Sequence, residues 1–296
     1  MRIKVKEETR IPFAIVVLLL VGVAALSAEE RAEQTVLPVN AAIVPGISLG
    51  ESIAAVTDST VVTGTGLALL GGRYEKLEGV ALAPFWNSTV IESRGAMISG
   101  VVNRSAGSFQ GTQLAGFVNI VDAEVVGVQS AGMLNVAREL WGTQLAGIAN
   151  VATSGTSRTQ AAGILNVARE SRGAQIALVN VSAENQGIPM GLVSYVSSVG
   201  LRYAFWGDET GRMTAAIRSG NRSVSNYFGV SYAPDGVDYP LGLVAGLGAR
   251  WQLSSSFYLS SELLSQSLFD EEFGSAGSLT RLRLHIGYQP LKGFVV

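Results

Sequence analysis

The chain has 296 residues, of which 48% are hydrophobic, only 15% are charged and 35 are glycine. An average soluble domain carries roughly 25% charged residues, so the composition points to an all-β protein with extensive apolar surface, buried or facing lipid. A net charge of -2 gives no electrostatic basis for binding nucleic acid, and the absence of cysteine excludes disulfides, thiolate metal sites and lipid attachment at a processed cysteine.

Residues 1–28 read as an export signal. Arg2, Lys4, Lys6 and Arg10 precede an apolar run from Ile11 to Ala28, and Glu29 and Glu30 follow its small-residue end. Cleavage fits after Ala25 or Ala28; an uncleaved anchor is the other reading, since about 18 apolar residues nearly span a bilayer. Residues 29–40 read as a polar linker. From Ala41 to residue 78, short β-branched runs broken by glycine predict an N-terminal β segment.

Residues 79–197 form a tandem array. The clearest copies are Gly111-Thr-Gln-Leu-Ala-Gly-Phe-Val-Asn119, Gly127-Val-Gln-Ser-Ala-Gly-Met-Leu-Asn135 and Gly142-Thr-Gln-Leu-Ala-Gly-Ile-Ala-Asn150. The repeated asparagines are Asn87, Asn103, Asn119, Asn135, Asn150, Asn166 and Asn180, with Ser194 in an eighth slot, at spacings of 16, 16, 16, 15, 16, 14 and 14. A period with small slips predicts stacked copies of one unit.

Two geometries accommodate the period. One copy as one coil of a β-solenoid contains two short strands, with the central glycine at a bend and the Asn and Gln side chains stacked as amide ladders. One copy as one transmembrane strand instead leads to a single barrel of about 16 strands. Near-identical turns after every copy favour the solenoid, because the two ends of a barrel face different surroundings.

The Gly-x-Gln-x-Gly-x-x-Asn units, as in Gln113-Leu-Ala-Gly116 followed by Asn119, resemble those of bacterial surface-repeat proteins known from leptospires and many other bacteria. The resemblance covers 79–194, and it implies an exported, envelope-associated protein. It brings no catalytic activity and no binding residues. Many of those proteins are lipoproteins, from which the absence of cysteine is a departure.

Residues 198–296 predict a C-terminal antiparallel β domain with six strands near 199–206, 212–219, 224–233, 240–253, 256–268 and 278–290. Read as a barrel segment, it sets Arg202, Arg218, Arg250, Arg281 and Arg283 toward a lumen, with aromatics such as Tyr227, Phe228, Tyr232, Tyr239, Trp251, Phe257, Tyr258 and Tyr288 near strand ends. Read as an ordinary sheet packed on the solenoid end, it makes those aromatics core. Six strands are too few for a closed membrane barrel, which needs at least about eight.

No constellation for chemistry emerges: no catalytic, cofactor-binding or metal-ligating residues are expected. His285, the one histidine, has no second metal ligand beside it. Gly64-Thr-Gly66 and Gly246-Leu-Gly248 lack the strand–helix setting of a phosphate loop. Glu262 and the Asp270-Glu271-Glu272 run read as a strand residue and a solvated loop. Three of four glycosylation sequons, at Asn87, Asn103 and Asn180, are the repeat asparagine itself; the fourth is Asn221. The expectation is a non-enzymatic, exported protein of a bacterial outer membrane, surface or periplasm. Its role is structural, adhesive or surface-interacting, its partners are envelope components, and it takes no cofactor and no nucleic acid. The alternative is an outer-membrane β-barrel pore.

Overall fold

A computed structural model describes residues 34–44, 47–48, 60–209, 211–233, 239–270 and 275–288. The export signal falls outside the described residues. These residues are all-β: a β-solenoid of about 8 turns at a spacing near 16 residues, followed by an antiparallel half-barrel sheet.

Each coil consists of two short strands joined by a glycine bend and returned by a polar turn. In one coil, Phe109–Ala115 leads through Gly116 and Phe117 into the strand that begins at Val118. Successive coils pair in parallel with like residues on like. Gly111, Thr112 and Gln113 lie over Gly95, Ala96 and Met97, and Asn119 lies between Asn103 and Asn135. This parallel pairing rules out the single barrel of about 16 strands, whose neighbours must run antiparallel. Stacking extends further toward the N-terminus than the recognisable repeat does. Gln34–Val44 pairs in parallel with Thr60–Ala68, which pairs with Lys76–Ala83. The segment read as a linker therefore enters a strand at Gln34.

Close stacking explains the two glycine columns. A Cβ on Gly111, at φ +134°, would lie 1.9 Å from the Gly95 carbonyl oxygen, and one on Gly116 would lie 2.0 Å from that of Gly100. Backbones approach here so closely that any side chain pries two coils apart.

The interior changes along the axis. The column that holds glutamine in later coils runs from Asn40 through Gly66, Ala81 and Met97. The asparagine column is preceded by Gly72, paired with Asn87. Tyr74 fills the space these small residues leave, its ring occupying positions that a Cβ on Gly66 or Gly72 would reach. With Leu77, Met97, Phe109, Val121, Val125 and Leu140 it forms the apolar core. The Tyr74 hydroxyl is buried without a hydrogen-bond partner among the described residues. Burial pushes its pKa up to about 12.

The six C-terminal strands, Arg202–Gly207, Met213–Gly220, Val224–Tyr232, Leu241–Gln252, Phe257–Phe269 and Ser275–Tyr288, form one antiparallel meander in chain order. All six sequence-predicted strands are present. The meander is tied to the last coils of the solenoid by side chains. Asn226 Nδ2 donates to the Pro189 carbonyl at 2.8 Å, and Asn226 Oδ1 accepts from the Gly191 amide at 3.0 Å. Ser219 Oγ accepts from the Ser194 amide at 3.0 Å.

Gly111→Ala is expected to destabilise the solenoid by about 2–4 kcal/mol in denaturant unfolding, whereas Thr112→Val on the same coil changes stability by less than about 0.5 kcal/mol. An unfolded tyrosine ionises near 10 and folded Tyr74 near 12. The folded state thus favours the neutral phenol, and stability falls as pH rises through that window, by on the order of 2–3 kcal/mol. Tyr74→Phe is expected to remove that alkaline loss, read from unfolding midpoints between about pH 9 and pH 12.

Candidate functional site

The repeated polar side chains lie inside the solenoid. Asn103, Asn119, Asn135, Asn150 and Asn166 and Gln113, Gln129, Gln144, Gln160 and Gln175 are all fully buried. An unpaired buried amide costs about 1–3 kcal/mol per orphaned group, so ten of them persist only if they satisfy one another.

They do so as two ladders of opposite polarity. Asn103 Nδ2 donates to Asn119 Oδ1 at 3.0 Å, Asn119 to Asn135 at 2.9 Å, Asn135 to Asn150 at 2.9 Å and Asn150 to Asn166 at 3.0 Å. The same nitrogens donate a second bond to a backbone carbonyl near the bend, Asn119 to Ser130 at 2.8 Å and Asn135 to Leu145 at 2.7 Å. The Asn ladder thus donates toward the C-terminus and ends on Ser194 Oγ, which Asn180 reaches at 3.1 Å.

The Gln ladder runs the other way. Gln129 Nε2 donates to Gln113 Oε1 at 2.8 Å, Gln144 to Gln129 at 2.7 Å, Gln160 to Gln144 at 2.9 Å and Gln175 to Gln160 at 2.9 Å. Asn185 caps it by donating to Gln175 at 3.0 Å, and Asn221 of the C-terminal sheet donates to Asn185 at 3.1 Å. Amides in a chain polarise one another, and two chains of opposite direction cancel much of the dipole each builds along the axis.

The surface is partitioned as sharply. Glu92, Arg94, Asp122, Glu124, Arg138, Glu139, Arg169, Glu170, Arg172 and Glu184 fall on the polar turns, at the edge away from the glycine bend. On the bend itself a backbone-bonded column carries Phe85, Val101, Phe117, Met133, Ile148 and Ile164, and it continues through Leu178 and Leu192. Of these eight residues all but Val101 are large and exposed, Phe117 and Ile164 to about half. Seven steps at about 4.8 Å make a ridge roughly 34 Å long. Beside it, Ser130 and Ala161 interrupt a row otherwise held by Leu114, Leu145 and Ile176. They leave an open, uncharged depression of ≈ 380 Å³.

The C-terminal sheet has the reverse polarity of a soluble sheet. Arg202, Arg218, Arg250, Arg281 and Arg283 share its inner face. There Tyr227 Oη donates to Glu262 Oε1 at 2.6 Å. The Arg250 guanidinium lies 3.9 Å from the Tyr258 ring centroid, and that of Arg283 lies 4.6 Å from the Trp206 ring. Arg281 pairs with Asp208. His285 Nε2 lies 3.9 Å from Glu262. A cavity of ≈ 10 Å³ lies among Trp206, Val244 and Arg283, about the least that admits one water.

The outer face carries Tyr203, Phe205, Val230, Tyr232, Leu243, Trp251, Leu263, Leu282, Leu284 and Ile286, all exposed. The aromatics therefore divide: Tyr227 and Tyr258 point inward and are buried, while Phe228, Tyr232, Trp251, Phe257 and Tyr288 are exposed.

No family model, curated protein or solved structure matches the chain. Among the described residues no cluster of His, Asp and Glu has metal-binding geometry. The sequon asparagines Asn87, Asn103, Asn180 and Asn221 are buried, and only Asp270 of the acidic run is among the described residues. The bend ridge was not anticipated. Its signal is the large apolar residue directly after each bend glycine, as in Gly116-Phe117, Gly132-Met133, Gly147-Ile148 and Gly163-Ile164.

Replacing Asn135 by leucine orphans the Asn119 donor, the Asn150 acceptor and the Leu145 carbonyl, or leaves them to weaker partners. An expected loss of about 3 kcal/mol or more in denaturant unfolding, against less than about 0.5 kcal/mol for exposed Gln110→Ala, checks the ladder.

Proposed function

We propose that the protein is a non-catalytic scaffold of a bacterial cell envelope, exported by its N-terminal segment and acting by surface contact. One observation carries this reading. The repeated asparagines and glutamines are turned inward and bonded to their own kind, while the bend edge of the coils presents an uncharged apolar ridge. Such a ridge offers area for contact. The resemblance to bacterial surface-repeat proteins supports the envelope setting, as do the basic start and apolar run of residues 1–28. Among the described residues no helix is long and apolar enough to cross a membrane.

A pore is the second reading, favoured by the arginine-lined inner face and apolar outer face of the C-terminal sheet. Six strands are fewer than the roughly eight of a closed membrane barrel, so a conduit needs more strands than this sheet contributes.

Fractionation of expressing cells tests the scaffold reading. The protein is expected in the envelope membrane fraction, resistant to salt extraction. Exchanging Phe117, Ile148 and Ile164 for lysine is expected to weaken that retention by at least several-fold while the β-sheet circular dichroism persists. Recovery of the unaltered chain as a freely soluble protein would overturn it.

A further inference from the structure

The apolar residues on the outer face of the C-terminal sheet are not scattered along the strands. Hydrogen-bonded rows place Tyr203 of the first strand in line with Ile217, Phe228 and Ala245, and Phe205 in line with Ala215, Val230 and Leu243. On the last strand the apolar residues lie further along. Leu282 shares a row with Leu247, Leu284 with Ala249 and Ile286 with Trp251. The rows of Ala245 and Leu243, apolar on the early strands, are continued on the late ones by Ser265, Thr280, Ser267 and Ser278. The apolar band is therefore diagonal to the hydrogen bonds, and Ser261 is the polar residue within it.

The slope of the band has a physical measure. Its centre moves roughly six residues over five strand-to-strand steps, about 4 Å per step at a rise of about 3.3 Å, against about 4.8 Å between strands. A flat apolar layer cut across this sheet is crossed by strands tilted about 40° from its normal, within the roughly 35–45° of membrane barrels. Part of its outline on the early strands is set within the chain, since the Leu247 row continues to Asn226 and Ser219, which are bonded to the last coils of the solenoid; the exposed remainder holds a slope that matches a planar layer of acyl chains.

An open sheet cannot sit in that layer, because unpaired edge N–H and C=O groups find no water there. Among the described residues this sheet has two unpaired edges, Arg202–Gly207 and Ser275–Tyr288, and six strands, fewer than the roughly eight a membrane barrel requires. Its strand number is even, so the last strand of one copy meets the first strand of the next antiparallel, and a ring of copies puts every solenoid on one side.

We propose that two or more copies of the chain close their six-stranded sheets edge to edge into one transmembrane barrel. The diagonal apolar band faces lipid acyl chains and the arginine face lines the interior. Two copies supply twelve strands. Among the described residues each interior segment holds Arg202, Arg218, Arg250, Arg281 and Arg283 with Glu262 and Asp208, so that face is rich in arginine. Separation of first and last strands on closure exchanges the Arg281–Asp208 and Arg283–Trp206 contacts for contacts within the wider ring. The proposal rests on the envelope reading for its location alone.

The absence of native cysteine makes the test clean. The full chain is refolded into vesicles of phosphatidylethanolamine and phosphatidylglycerol as mixtures of Phe205→Cys with Leu282→Cys, Leu284→Cys or Ile286→Cys, and treated with a short bis-maleimide. A covalent dimer in at least one mixture, and in neither variant alone, is expected, together with an oligomeric mass for the unaltered chain in detergent. A monomeric mass overturns the proposal, and so does a double variant that links only within one chain. Failure of the unaltered chain to enter vesicles overturns it too. Because the readout uses purified protein, a soluble location in cells would sink the envelope reading and leave this result standing.

Discussion

A buried primary amide has two donors and an acceptor to place, and in this protein nearly all of the architecture follows from where they go. One coil cannot satisfy its own asparagine and glutamine. The coil above or below must present the same group at the same height, which forces parallel stacking in exact like-on-like register. That register in turn brings glycine onto glycine at distances no side chain tolerates, and the bend is pinned where the Asn nitrogen meets a backbone carbonyl. The ladders and the glycine columns are one constraint seen from two sides: amides need neighbours close, and only glycine lets them come that close.

Drawing polar groups inward leaves the outside to other demands. Charged residues gather at the polar turns, where water reaches them, and the bend edge is left apolar along its length. The C-terminal sheet repeats this inversion by a different route, with arginine, tyrosine and glutamate inside and leucine, isoleucine and aromatic residues outside. Two units built on different pairing rules thus both bury polar side chains and both leave an apolar face exposed, along the bend of the solenoid and on the outer side of the sheet.

Much of this was legible in the sequence for a definite reason. The period of Asn87 through Asn180 is long, strong and tied to glycine, so coil size, bend position and ladder formation could all be argued from spacing. The six late strands were legible from alternation, cleanest at Leu282, Leu284 and Ile286. What escaped lies where the period fails. Gln34–Val44 and Thr60–Ala68 stack as coils without carrying the repeated phrase, because Gly66 and Gly72 stand where later coils carry amides and the Tyr74 ring that fills their space leaves no periodic trace. The diagonal of the apolar band was equally hidden: it is a property of register between strands, which no single strand encodes.

The uniformity of the ladders has a price in addressing. Asn119 makes the same bonds with Asn135 that it would make with Asn150, so the interior tells coils how to stack and says little about which coil is next. A folding chain that skipped one coil would find almost every local bond intact. The unique residues therefore act as bookmarks. Tyr74 and Met97 mark the start, Phe109 and Leu140 give two middle coils their own volume, and Asn185 with Asn221 marks the stop. The same indifference lets the array gain or lose whole coils during evolution while its chemistry stays unchanged, with its length governed by the distance between the bookmarks.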